Sequence, residues 1–163
     1  IICTANRVGE ASEQAMQEAI ASMKTLNKYA AEICKKYAVH ACTDVTGFSF
    51  LGHLHEMLDG KLSARIDSRH VPVITEALRH ADEFLLTAAG QRNRNYVKDF
   101  VQFKKIPFAM EEVLLDPQTS GGLLIAVEPV QAAQLEKELQ QAGLPARIVG
   151  ELTNKTEPEI VVL

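Results

Sequence analysis

The run LLIAV, Leu123–Val127, lies between a glycine pair and Pro129, and it constrains the chain more than any other stretch. It reads as a core strand: short, wholly apolar and punctuated at both ends. The preceding DPQTSGG turns the chain, after a short helix that ends before Pro117. Pro129 then suits the first turn of a helix, whose apolar face continues through Ala132, Leu135, Leu139 and Ala142 to Gly143.

The remaining elements follow from periodicity. Between Ser12 and Tyr37, Ala15, Met16, Ala19, Ile20 and Met23, then Leu26, Ala30, Ile33 and Cys34, recur at helical spacing; this predicts one long helix or two with a break near Thr25 to Lys28. HACTDVT reads as a buried strand. After Gly47, Phe50, Leu51, Leu54 and Leu58 form the apolar face of a helix that Gly60 ends. LSARI alternates as a half-buried strand. Pro72 marks entry to a short helix over Val73 to His80, and residues 81–112 lack a sustained period, so they read as a long loop with short helical pieces. ARIVGELT and EIVVL are two strands around the polar turn Asn154 to Pro158. The opening IICTANRVGE looks like a hydrophobic strand. Strands and helices mix without a regular βαβ repeat, which predicts a mixed sheet covered by helices rather than a doubly wound fold.

At 163 residues with 47% hydrophobic content, the chain suffices for one domain with a sizeable core. A formal charge of -4 excludes a broad electrostatic attraction to nucleic acid or an anionic membrane, although a local phosphate site remains compatible with it. Cys3, Cys34 and Cys42 form no CxxC and no disulfide framework, so they read as free thiols in a reducing compartment, with Cys42 buried in its apolar run. No stretch approaches the roughly 18 apolar residues that span a bilayer. The expectation is a soluble, cytoplasmic protein without direct nucleic-acid or membrane partners. Beginning at isoleucine, inside an apolar run, the sequence reads as a piece of a longer protein.

Among residues able to carry chemistry, Asp44 stands out at the junction of strand and turn, where a carboxylate suits Mg²⁺ alongside water and phosphate oxygens. One carboxylate leaves most of such a shell unfilled, and a structural cap or turn is the competing reading. Thr43 and Thr46 are suited to hydrogen-bond phosphate or backbone, and Gly47 to close approach or positive φ. Thr119 to Gly122, TSGG, fits a ligand approach or a tight turn. Arg92, Asn93, Arg94 and Asn95, with Lys98, Lys104 and Lys105 nearby, suit phosphate or form a solvated basic loop. His53 and His55 point in different directions on a helix and make a poor metal pair. His40, His70 and His80 have no better claim. GxGxxG and Walker A motifs are absent.

Taken together, TDVTGFSFLGHLHEM and LLDPQTSGGLLIAV resemble the two signature segments of the carboxy-terminal domain of the selenophosphate synthetase (selenide, water dikinase) family, and GELT near the end extends the match. The first motif is shared loosely with relatives that make aminoimidazole ribonucleotide or phosphorylate thiamine monophosphate, while DPQTSGG is more specific. The resemblance implies an α/β (α+β) sandwich over residues 1–163, a single carboxy-terminal domain without the amino-terminal ATP-binding and catalytic domain. It implies an enzyme that converts ATP, selenide and water to selenophosphate, orthophosphate and AMP with Mg²⁺, and that is a homodimer when full length. By motif, Asp44 is the carboxylate this domain contributes to metal and phosphates, and Thr46 and Gly47 shape the same edge. The family's reactive cysteine or selenocysteine and its lysine lie in a segment absent here, so the isolated chain is expected to be inactive. Alternatives are another ATP-using member of the superfamily, or a noncatalytic interaction domain of the same fold.

Two departures are visible. Ser49 stands where the family usually has glycine in TGFGLLGH; it strains the loop if that position needs an unusual backbone angle, and is tolerated if it only begins a helix. GQRNRN keeps Gly90, Arg94 and Asn95 of a GGTxRN-like loop but has Gln91 and Arg92 in place of glycine and threonine.

Overall fold

The computed structural model describes residues 1–163. Eight helices and six strands follow in the order α1 (Ile2–Arg7), α2 (Glu13–Lys24), α3 (Lys28–Cys34), β1 (Val39–Asp44), α4 (Ser49–Leu58), β2 (Leu62–Ile66), α5 (Thr75–Asp82), α6 (Ala88–Val97), β3 (Val101–Phe103), α7 (Phe108–Leu115), β4 (Leu123–Val127), α8 (Pro129–Gln141), β5 (Gly150–Asn154) and β6 (Ile160–Val162). A short 3₁₀ turn occupies Ser68–His70.

Four strands form a mixed sheet in the order β3-β6-β2-β5, parallel except for the β2/β5 pair. Ala64 and Ile66 of β2 sit level with Ile160 and Val162 of β6. All four are buried against Leu51, Leu54 and Leu58 of α4 and Leu114 and Leu115 of α7. On the opposite face Arg65 pairs with Glu151 across the β2/β5 ladder and both are exposed. The fold is therefore an α+β sandwich with helices on one face of a mixed sheet, as the element order predicts.

β1 and β4 stand apart as a two-stranded antiparallel ribbon. Leu124 joins the main core, while Ile125 and Val127 pack against Cys34, Leu135 and Leu139 of α3 and α8. Period-two alternation thus lets one short strand serve two cores. A third cluster is built largely from small residues: Ala15 and Ala19 of α2 meet Ala77 and Ala81 of α5, Ala109 of α7, and Ile1 and Ile2. Alanine faces allow these helices to approach closely.

Several expectations need correction. The first residues form helix α1, not a strand; with only Ile2 and Ala5 buried, six residues are too few to display a period. β1 is not a buried strand, since its alternate residues His40, Cys42 and Asp44 are exposed, and Cys42 is an exposed thiol. The helix after Pro72 starts at Thr75 because Ile74 is still extended. Residues 81–112 are not mainly loop: they hold α6, β3 and the start of α7. Helix α6 escapes detection because its buried stripe is Gly90, Asn93 and Val97, only one of which is a large apolar residue. The break between α2 and α3 and the bounds of β4 agree with the sequence reading. β5 and β6 flank the predicted turn but do not pair, because β2 lies between them.

Ser12 ties α2 to α5. Its side chain caps Ala15 N–H at 3.1 Å, and its own N–H and hydroxyl donate to Glu76 at 2.7 and 2.6 Å. The Ser12 hydroxyl first, then its backbone N–H, hold the Glu76 carboxyl down at about 2. A carboxyl depressed on folding stabilises above its unfolded value of about 4.3 and loses that contribution as pH falls through the folded value. The melting-temperature difference between wild type and Glu76→Gln is therefore expected to shrink as pH drops from about 5 to 2, measured by circular dichroism.

Candidate functional site

β1 delivers Asp44 to the end of the ribbon, paired in register with Leu123. The chain then turns through Val45 to Phe48 into α4. DPQTSGG closes on that turn by backbone alone: Val45 N–H donates to Gly122 O at 2.9 Å, Gly121 N–H to Val45 O at 3.0 Å and Gln118 N–H to Thr46 O at 3.0 Å. A Cβ on Gly121 would stand 2.2 Å from the Val45 carbonyl oxygen. The two motifs, more than 70 positions apart, thus form one folded unit, and the glycine is there for close approach.

Two buried or half-buried amides brace this unit. Asn93 Nδ2 donates to Gly47 O at 3.0 Å and to Leu115 O at 3.1 Å, stitching the turn to α6 and α7. Asn27 Nδ2 donates to Gly121 O at 3.1 Å from the α2–α3 break. Asp116 sits behind the loop, its carboxylate accepting from Thr87 Oγ1 at 3.2 Å. Burial pushes its carboxyl up.

The front of the turn carries the polar functions. Asp44 is exposed, and its carboxylate takes part in no ion pair or hydrogen bond. Thr46 Oγ1 lies 3.0 Å from His53 Nε2, and His53 Nδ1 lies 2.9 Å from Glu56 Oε2. Phe48, half exposed, leans over α4 with its ring 5.6 Å from that of His53 and 5.8 Å from Tyr96. Gly52 makes this possible, since a Cβ there would meet Phe48 Cβ at 2.9 Å.

Other candidates take structural roles. Arg94 directs three donors to Glu111 and the buried Glu112, so its guanidinium is committed to α7. Asn93 is the brace described above, while Arg92, Asn95, Lys98, Lys104 and Lys105 are exposed. Gly90 donates its N–H to the α6 cap Thr87 at 2.9 Å. His55 stacks on Phe100 at 4.0 Å and meets the buried Glu159 at 2.5 Å, away from the partners of His53. His40 pairs with Glu128, and buried His80 with Glu76. His53 and Asn93 are named by the sequence in other roles, and only their neighbours in space give them the ones they hold here.

Ser49 resolves the question its position raises. It adopts φ 67°, is fully buried, and its hydroxyl has no partner. Such a conformation costs about 1–3 kcal/mol in a residue with a side chain. Ser49→Gly is expected to stabilise the protein by about 1 kcal/mol after the greater chain entropy of glycine is subtracted, read as a higher urea midpoint. Gly121→Ala is expected to do the opposite, costing at least about 2 kcal/mol as its Cβ forces the two motif loops apart, with the loss seen in the same denaturation series.

The family model described as AIR synthase related protein, C-terminal domain, matches residues 3–163, and the chain belongs to that family. Among individual proteins, it is 60% identical over 163 residues to the selenide, water dikinase of Agathobacter rectalis, covering 99% of this chain and 48% of that protein. The selenide, water dikinase of Desulfitobacterium hafniense strain Y51 is 43% identical over 155 residues, covering 95% and 46% respectively. That of Clostridioides difficile is 39% identical over 166 residues, covering 100% and 48%. The chain spans about half the length of these relatives. No helix is long and apolar enough to cross a membrane.

Proposed function

We propose that the chain is the carboxy-terminal half of an ATP-dependent enzyme that makes selenophosphate from selenide and water, releasing AMP and orthophosphate, and that its TDVTG turn forms one wall of the Mg²⁺–ATP site. The observation that carries this reading is the uncommitted Asp44 carboxylate, held at the front of a turn that DPQTSGG braces from behind. Support for the reaction comes from the names of relatives that match along the whole chain.

The donor chemistry fits part of a Mg²⁺ shell. Mg²⁺ is held by one or two carboxylates with water and phosphate oxygens, and Asp44 offers one such ligand. No cluster of three or more His, Cys, Asp or Glu side chains suited to a metal stands elsewhere in the chain. The family resemblance implies that the remaining protein ligands, and the reactive cysteine or selenocysteine, belong to the amino-terminal half. When bound, the metal neutralises phosphate charge that would repel an attacking nucleophile. The chain's own part is positional: the rigid ribbon end aims Asp44, Gly47 keeps the edge open, and Thr46 adds a hydroxyl beside it. On this reading the isolated chain is inactive, the full-length protein is a homodimer working in the cytoplasm, and its small-molecule partners are ATP and selenide.

Selenide-dependent formation of AMP and orthophosphate from ATP, measured in the full-length protein, tests this. Asp44→Ala is expected to lower that rate by about a hundredfold or more while leaving the fold intact by circular dichroism. A folded wild type that consumes ATP only with a purine precursor or a thiamine phosphate would transfer the chain to another activity of its superfamily. A folded wild type without turnover would leave it as an interaction domain.

A further inference from the structure

A basic pocket opens beside the 3₁₀ turn Ser68–His70 and shares no residue with the TDVTG turn. Its volume is about 210 Å³, and Arg69, His70, Val71, Pro72, Pro145 and Arg147 line it. No acidic residue is among them, in a chain whose formal charge is -4. A few converging cations can set a local field against the net charge. The proposed function does not use these residues.

Both walls are held by contacts within the chain. Asp67 N–H donates to Val149 O at 2.8 Å, which joins the 3₁₀ turn to the segment leading into β5. On the other side α8 holds the Arg147 loop: Gln140 Nε2 donates to Ala146 O at 2.9 Å, and Ile148 N–H to Glu136 Oε1 at 3.1 Å. Pro72 and Pro145 fix their own φ angles. Such walls leave little chain entropy to be lost on binding.

The donors are unevenly committed. Arg69 directs Nε and Nη2 onto Asp67 at 2.8 and 2.6 Å, which leaves Nη1 for a ligand. Asp67 offsets that positive charge but does not line the pocket. Arg147 makes one hydrogen bond, from Nη1 to Ala146 O at 2.9 Å, and forms no ion pair. Its Nε–Nη2 edge, a fork that matches two oxygens of one oxyanion, is free.

We propose that this pocket binds a small phosphate-bearing anion, with the Arg147 fork as its main anchor and Arg69 Nη1 as the second. Two guanidinium groups from separate segments call for acceptors in more than one plane. A tetrahedral phosphate supplies them, whereas a planar carboxylate satisfies one fork. Both groups are permanently charged, so binding does not depend on His70.

The test uses the full-length protein and phenylglyoxal, which modifies arginine, with each arginine followed separately by mass spectrometry. Phosphate held elsewhere in the protein then leaves the readout at Arg147 untouched. Pyrophosphate, orthophosphate and AMP are the probes, at constant ionic strength, with succinate as the carboxylate control. At least one phosphate probe is expected to slow modification of Arg147 about tenfold while sparing Arg65, which is exposed on the outer face of the sheet. Protection by AMP at the lowest concentration identifies a nucleotide as the source of the phosphate; protection by the inorganic anions alone identifies a free one. Arg69→Gln, at an exposed position, is expected to raise the concentration needed to protect Arg147 about tenfold. Asp67→Asn keeps an oxygen to cap the 3₁₀ turn but removes the competing charge, so it is expected to lower that concentration. A purely structural role for the Arg69–Asp67 pair predicts no such opposition of sign. The proposal is overturned if no phosphate probe protects Arg147 at about 10 mM, if succinate protects as well, or if Arg65 is protected equally. It is also overturned if the two variants fail to shift protection in opposite directions.

Discussion

The approach of the Gly121 backbone to the Val45 carbonyl, too close for any Cβ, is the contact on which the site geometry depends. Three backbone hydrogen bonds across that contact satisfy polar groups that a turn would otherwise leave to water. They also convert two flexible loops into a double-layered corner. Asn27 and Asn93 extend the corner into four helices, so the position of Asp44 is set by α2, α3, α6 and α7 as much as by its own strand.

Such a corner stores strain, and the core behind it is large enough to hold it. Leu51, Leu54 and Leu58 are fully buried on α4, each contributing about 1.5–3 kcal/mol by leaving water. Ser49, at the start of the same helix, costs about 1–3 kcal/mol in its left-handed conformation. Three buried leucines outweigh one strained serine, which is why the helix begins there despite the side chain. Because α4 is anchored by those leucines, His53 and Glu56 on its other face are presented to the turn at constant height.

How much was legible in advance differs by residue. Leu123–Val127 and the α8 face announced themselves because a fully apolar run and a 3.6-residue period are local signals. Asp44 was legible as a carboxylate between strand and turn. Asn93 was grouped with phosphate-facing residues, yet its amide is consumed by two carbonyls from distant segments. Arg94 likewise looked available until Glu111 and Glu112, on a helix absent from any local pattern, took its donors. Cys42 looked buried because its run is apolar, but a two-stranded ribbon has too little cover to bury both faces of β1.

By itself the sequence determined the mixed α+β class, the bounds of β4, the break between α2 and α3, and the identity of the two motifs, since each of these rests on neighbours within a few residues. Tertiary structure alone decided that the motifs touch, that Ser49 is strained, that α6 is a helix with a polar buried stripe, and that His53 stands between a hydroxyl and a carboxylate. The physical reason is the range of the forces involved. Period and propensity act along the chain, whereas hydrogen-bond satisfaction and close approach depend on partners that only folding brings together.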